Sequence, residues 1–290
     1  MFGEPFADSS QIPTYLVSKM TRDHVTVSLS GDAGDELFCG YHSYESVSRV
    51  WNKISSIPYP VRTAASAAAL AVIPKPTDGE VPRYSKALYL GAKTPYDLHR
   101  MEHELDPIVK KIALKKGASK YKYFNRHLDY LGEVNHDAML MDMVLYHPED
   151  ILVKVDRTAM ACSLETRVPM LDKDVVEFAW TLPIEYLKEG NVGKQILRDV
   201  LYRYVPKEMM ERPKKGFSIP ISKWLEDPAL RDWAENLLDE NKLKAQGILD
   251  PEVVRKIWTD YTQRGIYRIQ IWYILMFQQW YEDEYLNGAK

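Results

Sequence analysis

The first 45 residues combine a helix pattern with a strand pattern. Two serines precede apolar residues at helical spacing, which predicts a capped helix over residues 8–22. Residues 23–30 then alternate between apolar and polar side chains and are rich in β-branched types, so they predict a strand. Gly31 and Gly34 interrupt this alternation, and an apolar-periodic segment begins at Glu36. We therefore expect a strand that leads through a turn at residues 30–38 into a helix.

Beyond about residue 43, the apolar positions recur near every 3.6 residues and no strong strand pattern returns. This spacing predicts amphipathic helices. Pro148 is followed by two acidic residues, an order that is typical of a helix N-terminus, so one helix is expected to begin there. The predicted helices cover residues 43–54, 61–73, 95–104, 135–146, 148–162, 193–204 and 266–286.

The helix predicted over residues 148–162 has one apolar stripe and one charged side. Four apolar residues at helical spacing form the expected buried stripe: Ile151, Leu152, Val155 and Ala159. Lys154 and Arg157 lie three positions apart on another face. Asp150 and Lys154 have the spacing of an exposed ion pair, which would contribute well under ~1 kcal/mol.

Composition and charge narrow the class of protein. The chain has 290 residues, of which 46% are hydrophobic and 27% charged, as in ordinary globular proteins. Its net charge of −3 favours neither nucleic acid nor an anionic membrane surface. The apolar run at residues 64–73 is about half the length of a membrane span. The N-terminus lacks the pattern of a signal peptide, and the two cysteines fit a reducing compartment, so we expect a cytoplasmic protein.

The lysine-rich stretch at residues 110–126 contains interleaved aromatic residues. Such a pattern could bind nucleic acid. Because the rest of the chain is slightly acidic, a solvated helical face is the favoured interpretation.

The turn at residues 30–38 is the first candidate for chemistry. Backbone N–H groups at the start of the following helix would face an anion such as a phosphate. Asp32 and Asp35 are three apart, so in a helical turn their carboxylates would share one face, and these oxygens suit Mg²⁺. A strand followed by an Asx-Gly turn and a capped helix gives much of the same pattern, so the residues alone leave both interpretations open.

A second candidate is the loop at residues 211–220. Pro213 and Pro220 bracket a central Gly216, with Lys214 and Lys215 between them. A loop that two prolines restrain can present a lysine to a site, although a solvated basic turn has the same composition.

Four blocks of the chain resemble, in order, the synthetase domain of glutamine-dependent asparagine synthetases. Residues 4–10, EPFADSS, are similar to the family's acidic EPF-A-D segment, and residues 29–41, LSGDAGDELFCGY, resemble its LSGDGGDELFGGY block. The segments DILVKVDR at 150–157 and SLETRVPMLD at 163–172 resemble LLVKVDR and SLEVRVPFLD. Residues 212–218 read RPKKGFS, as in the family's catalytic loop.

The resemblance implies a two-step reaction with ATP and Mg²⁺ as cofactors. The side-chain carboxylate of aspartate is adenylated with release of pyrophosphate, and ammonia derived from glutamine then attacks the acyl-adenylate. Ser30 and Gly31 match positions that hold ATP, and Asp35 matches a Mg²⁺-binding aspartate. Asp32 matches an acid that acts in forming or consuming the aspartyl-adenylate.

The resemblance assigns roles to five further positions as well. Lys214 matches the catalytic-loop lysine, and Lys215 is a weaker candidate for contact with the nucleotide. Arg157 falls where the family places a cation that contacts phosphate. Glu165 and Arg167 are expected to organise the fold as an ion pair.

The fold that the resemblance implies is a mainly helical α/β domain, part of an adenine-nucleotide α-hydrolase-like domain of the PP-loop ATPase type. The family's pyrophosphate loop, S-G-G-x-D-S, is absent, because no two glycines are adjacent in this chain. We therefore expect this chain to be N-terminally truncated, without the first strands, the PP-loop and the N-terminal glutaminase domain. Residues 1–45 would be the remnant of the nucleotide-binding sheet, and residues 46–290 the helical remainder.

Two substitutions within the matched blocks bear on the turn itself. Ala33 and Cys39 stand where the family has glycine. Both are compatible with the turn if the backbone φ at these positions is negative, and they introduce strain if it is positive.

Three functions remain open at this stage. The chain is expected to be the C-terminal part of an asparagine synthetase, inactive alone, whose partner is a missing N-terminal portion or a separate chain that carries the PP-loop and the glutaminase. It could instead be a non-catalytic partner or scaffold remnant, or a related ATP-dependent amidotransferase that acts on another carboxylate. We expect no nucleic-acid or membrane partner, and a homo-oligomer is compatible with the sequence.

Overall fold

A computed structural model of the chain describes residues 1–73, 82–103, 109–113, 131–211, 216–217 and 219–286. Within these ranges the chain is mainly helical with few strands, as the sequence predicts. The α-helices are α1 Gln11–Arg22, α2 Gly34–Leu37, α3 His42–Ile54, α4 Tyr59–Val72, α5 Pro82–Tyr89, α6 Pro95–His103, α7 Val109–Ile112, α8 Val134–Met141, α9 Leu152–Met160, α10 Lys173–Thr181, α11 Ile184–Leu187, α12 Gln195–Leu201, α13 Lys207–Met210, α14 Ile221–Trp224, α15 Pro228–Leu237, α16 Glu240–Gln246, α17 Pro251–Arg264 and α18 Gln270–Trp280. The strands are β1 Val27–Leu29, β2 Glu165–Arg167, β3 Lys188–Glu189 and β4 Val192–Gly193.

Strand β1 lies within the predicted strand at residues 23–30 and pairs in parallel with β2. The register places Val27 opposite Glu165 and Leu29 opposite Arg167. The sequence did not predict β2, because three residues of mixed polarity are too few for a strand pattern. This pairing joins the first 45 residues to the middle of the chain, and β3 and β4 form a separate antiparallel hairpin.

One face and one edge of β1 are uncovered in the described part of the chain. Val27 is 40% exposed and Leu29 is 75% exposed, and β2 is the strand that pairs with β1 there. Nearby helix α1 also exposes apolar side chains, namely Leu16, Val17 and Met20. Parallel strands are usually buried on both faces, so the exposure of Val27 and Leu29 is unusual for a parallel strand.

The predicted helix start at Pro148 is wrong. Helices α8 and α9 are joined by a π-helical segment, Asp142–Ile151, and Pro148 lies inside it. Proline has no N–H to donate, and the wider i to i+5 hydrogen bonding of a π-helix lets the chain continue through it. The two helices predicted on either side of residue 147 are therefore one continuous helical segment.

The hydrophobic core consists of several clusters of buried side chains. The largest involves α15, α17 and α18, where Trp258 and Trp272 are buried, so the apolar C-terminal helix that the sequence predicts is confirmed as a core element. A second cluster surrounds α2 and includes Leu37, Phe38 and Tyr44. This second cluster fixes the turn that follows β1, because α2 is buried in it.

No described helix has both the length and the apolar character needed to cross a bilayer. Cys39 and Cys162 are both free thiols. Burial raises the pKa of the Cys39 thiol to about 12, so this cysteine remains protonated.

Candidate active site

The candidate site is the turn at the carboxyl end of β1. The N–H of Ser30 donates to the carbonyl oxygen of Arg167 at 2.8 Å, which continues the β1–β2 ladder to the start of the turn. Gly31 is exposed, and open space surrounds the position where a side chain would begin. In parallel sheets, ligands bind in the loops outside the carboxyl ends of the strands. The turn therefore lies where parallel sheets commonly bind ligands.

Ser30 and Asp32 contact each other within the turn. The Ser30 hydroxyl donates to Oδ2 of Asp32, and the Asp32 N–H points back to that hydroxyl oxygen at 3.4 Å. Asp32 and Asp35 were expected to share one face if the turn were helical, and this condition is not met. Helix α2 begins only at Gly34, and the residue before it, Ala33, has a left-handed backbone that turns the chain between the two carboxylates.

Asp35 is paired with a lysine from a distant part of the chain. The Lys194 ammonium lies 2.9 Å from Oδ2 of Asp35, and the two side chains are 29% and 34% exposed. Lys194 directly precedes α12 and itself has a left-handed backbone, with φ of 60°. The structure thus places a cation against the aspartate that the sequence assigns to Mg²⁺.

Close backbone contact explains how Lys194 reaches the turn. Its N–H donates to the carbonyl oxygen of Phe38 at 2.8 Å. A Cβ on Gly193 would overlap the Cys39 carbonyl, and a Cβ on Gly40 would overlap Asp35. Glycine is therefore required at both positions. Sequence reasoning missed Lys194, and the available signal was a Gly-Lys pair directly before a helix.

The two residues that replace family glycines have positive φ angles. Ala33 has φ of 67° and Cys39 has φ of 54°. A left-handed conformation costs a non-glycine residue roughly 1–2 kcal/mol. Both side chains are almost fully buried in the cluster around α2, and this packing offsets part of the cost.

Glu36, next to Asp35, is buried and points away from solvent. It is 1% exposed, accepts a hydrogen bond from the Tyr41 hydroxyl at 2.7 Å and lies 3.3 Å from Nδ1 of His147. Burial by itself would raise the pKa of Glu36, but the contacts with His147 and Tyr41 outweigh it and hold the pKa below its usual value. These contacts link α2 to the π-helical segment.

A second charged cluster joins the N-terminal segment to α9. Lys154 is 9% exposed and its ammonium lies 2.8 Å from Oδ2 of Asp8. The interpretation of Asp150 and Lys154 as an exposed ion pair is therefore wrong. Burial and the neighbouring Asp8 carboxylate raise the pKa of Asp150 to about 6. Burial by itself would raise the pKa of Asp8, but the hydrogen bonds from Lys154 and Ser10 outweigh it, so the pKa of Asp8 is lowered.

The remaining sequence-predicted residues lie on α9, on β2 or outside the described residues. Arg157 lies on α9 with a side chain 57% exposed, and its ion-pair partner is Asp156, at 3.9 Å. Lys214 and Lys215 lie outside the described residues, as do the rest of the RPKKGFS block except Gly216 and Phe217 and most of the lysine-rich stretch at 110–126. The predicted ion pair of Glu165 and Arg167 is confirmed, with a distance of 2.7 Å on an exposed face.

The donor set suits Mg²⁺ only together with a ligand that supplies more oxygens. Within the described ranges, no three His, Cys, Asp or Glu side chains are grouped as a metal site would require. Asp35 offers hard carboxylate oxygens that are partly exposed, with Gly40 packed closely beside Oδ1. Mg²⁺ in nucleotide sites commonly binds one or two carboxylates plus phosphate oxygens, and Asp35 fits that mode.

Comparison with known proteins identifies the family. The sequence profile described as Asparagine synthase matches residues 1–282. The chain is 30% identical over 288 residues to glutamine-hydrolyzing asparagine synthetase 1 of Bacillus subtilis strain 168, covering 97% of this chain and 44% of that protein. It is 26% identical over 211 residues to asparagine synthetase 3 of the same organism, covering 73% of this chain and 29% of that protein. A mouse asparagine synthetase is 29% identical over 143 residues, which is 47% of this chain and 24% of the mouse protein.

The chain spans less than half the length of these curated relatives. The family profile, by contrast, extends over nearly the whole chain, including both the turn after β1 and α9. On the strength of that match, the chain belongs to the asparagine synthase family.

Proposed function

We propose that this chain is the C-terminal part of an ATP-dependent asparagine synthetase, which adenylates the side-chain carboxylate of aspartate and transfers ammonia to it. The observation that supports this most directly is the turn after β1. It places a hydroxyl, an open glycine and two separately held carboxylates at the carboxyl end of a parallel strand. This is where α/β domains bind nucleotides.

Each residue of the turn has a role in this proposal. Ser30 and the backbone at Gly31 bind phosphate oxygens of ATP, since hydroxyl and N–H donors suit an anion. Asp32, which Ser30 orients, accepts a proton from the nitrogen that attacks the acyl-adenylate. Asp35 is the carboxylate that would hold Mg²⁺, and the bound ion would neutralise charge on the departing pyrophosphate.

Three cations complete the proposed site. Lys214 stabilises the negative charge that develops on the phosphoryl and carbonyl oxygens, and Lys215 contacts the nucleotide. Arg157 would contact phosphate through its fork of N–H donors. Its exposed position on α9 leaves the guanidinium accessible to a ligand.

The proposal includes a second polypeptide segment that carries the pyrophosphate loop and the glutaminase. Two observations support it. The relatives are more than twice as long as the matched region, and β1 exposes Val27 and Leu29 beside an edge that no described strand covers. A further parallel strand on that edge would bury both features and would end next to Ser30.

A non-catalytic partner or scaffold is the second candidate, and one observation favours it. Ala33 and Cys39 have left-handed backbones at positions where the family motif has glycine, so the turn departs from the motif that binds the nucleotide. An amidotransferase for another carboxylate differs from the main proposal only in the acyl substrate. It would share the same turn.

Aspartate-dependent release of pyrophosphate from ATP separates these functions. The purified chain alone is expected to release none. The coding sequence upstream of Met1 should be determined, and any S-G-G-x-D-S segment found there should be co-expressed with this chain. Release that appears only in the reconstituted protein supports the synthetase, release with another acid supports the related amidotransferase, and no release with any acid supports the scaffold. Robust release by the chain alone would contradict the need for a second segment.

A further inference from the structure

Several backbone features position Lys194 for its ion pair with Asp35. Gly193 is in backbone contact with Cys39, the Lys194 N–H bonds to Phe38, and Lys194 holds a left-handed conformation that lysine rarely adopts. Strained backbone of this kind concentrates at functional sites. The strained backbone at Lys194 therefore positions its ammonium group against the Asp35 carboxylate.

Stability does not account for this arrangement. Both side chains are about one third exposed, and ion pairs with such exposure to water contribute little to folding. The same exposure leaves the pair accessible to ions and ligands. Gly34 is also close to the ammonium, since a Cβ there would lie 3.7 Å from Nζ.

The Lys194 ammonium contacts a carboxylate oxygen of Asp35 that a metal ion would otherwise bind. Lys194 lies on Oδ2 of Asp35, and Gly40 packs beside the other oxygen, Oδ1. A divalent cation and an ammonium carry charge of the same sign and cannot share one carboxylate oxygen at contact distance without strong repulsion. In the described part of the chain, no cluster of additional acidic groups offers a metal an alternative.

We propose that Lys194 is an internal counter-ion that competes with the divalent cation for Asp35, so that the cation binds only after the ammonium has left. This inference rests on the assignment of Asp35 as a metal-binding residue in the proposed function. It adds a positioning and gating role for a lysine 20 residues before Lys214 in the sequence. The consequence is a site whose affinity for a free divalent cation is kept low.

Binding of Mn²⁺ alone tests the proposal without any catalytic assay. The electron paramagnetic resonance signal of free Mn²⁺ is titrated with wild-type chain and with Lys194→Met, and Lys194→Gln repeats the measurement with a polar side chain. Both variants should bind Mn²⁺ about tenfold more tightly than wild type. Lys194→Arg keeps the charge and should bind as weakly as wild type.

Two matched controls make the result specific. Lys188→Met removes a lysine of the adjoining hairpin that is paired with Glu45, and it should leave Mn²⁺ affinity unchanged. Asp35→Asn in the Lys194→Met background should return the affinity to the wild-type level. Circular dichroism and thermal unfolding verify that each variant is folded.

The possible outcomes separate this inference from the proposed function. If Lys194→Met and Lys194→Gln bind Mn²⁺ no more tightly than wild type, the competition is refuted. If tight binding persists after Asp35→Asn, the metal is not on Asp35, and both the competition and that part of the proposed function fail. A reconstituted protein without pyrophosphate release, together with the expected Mn²⁺ shifts, would refute the synthetase assignment and leave the competition intact.

Discussion

The ammonium of Lys154 on α9 lies 2.8 Å from a carboxylate oxygen of Asp8, and both side chains are largely buried. This contact fixes the N-terminal segment to the helix that leads into β2. Removing one partner leaves the other charge buried without compensation, which costs about 3 kcal/mol or more.

Lys154→Met is therefore expected to lower the free energy of unfolding by about 3 kcal/mol, measured by urea denaturation. Lys173→Met is the matched control, because Lys173 pairs with Glu177 on an exposed helix face where the side chain is 82% exposed. The control should change stability by less than about 0.5 kcal/mol. Equal effects of the two substitutions would mean that burial of the Asp8 pair has no energetic significance.

The raised pKa of Asp150 predicts a pH-dependent effect of Asp150→Asn. The folded chain keeps this carboxyl protonated up to about pH 6, whereas the ordinary pKa is 3.8. The folded state therefore binds a proton that the unfolded state has lost, and the contribution of Asp150 to stability falls as pH rises from about 4 to 6.

Asp150→Asn should accordingly be more stable than wild type by about 1–3 kcal/mol at pH 7.5, with the difference vanishing near pH 4. Urea denaturation at several pH values measures this difference. Asp156→Asn, at a position whose side chain is 67% exposed, is the control and should show no such trend. A difference that is constant with pH would contradict the raised pKa.

Ala33→Gly tests the strain in the turn. Relief of the left-handed strain is worth roughly 1–2 kcal/mol, and loss of the buried methyl group costs about 0.8 kcal/mol. The free energy of unfolding should therefore rise by up to about 1 kcal/mol. Ala179→Gly, at an equally buried helical position in α10, should lower it by about 1 kcal/mol or more. If both substitutions destabilise equally, Ala33 is not strained.

Gly193→Ala tests the backbone contact that positions Lys194. Since a Cβ there would overlap the Cys39 carbonyl, the hairpin must move away from the turn, at a cost of several kcal/mol. Gly190→Ala, in the same hairpin, meets no atom within 4 Å but has φ of 55°, so it should cost only about 1 kcal/mol. Thermal unfolding and Mn²⁺ titration compare the two, and only Gly193→Ala should also alter metal affinity.

Lys214→Ala should abolish pyrophosphate release in the reconstituted protein while circular dichroism remains unchanged. The reason is that charge stabilisation by a single group in an active site is worth orders of magnitude in rate. Lys215→Ala should retain most of the activity. Turnover that survives Lys214→Ala would show that the RPKKGFS block is not the catalytic loop.

The sequence predicted about half of the described helices and β1, because their apolar periodicity is strong and local, but it gave no specific prediction for α10 or for α15 to α17. It failed at β2, whose three residues form a strand only because β1 lies beside them, and at Pro148, where a π-helix tolerates the proline. It also selected Ser30, Asp32 and Asp35 as candidates because they are close in sequence, and the structure brings Ser30 and Asp32 into contact. Lys194 could not be found in this way, because its role depends on a contact between segments far apart in sequence.

The edge of β1 that no described strand covers is also expected to affect the chain during biosynthesis. A strand edge flanked by exposed Val27 and Leu29 is a template for pairing with any other extended polypeptide. If a second segment covers this edge, as proposed, the chain without that segment is expected to be bound by chaperones and cleaved by proteases more readily. The abundance of the protein is therefore expected to follow the supply of whatever covers this edge, which couples quality control to assembly.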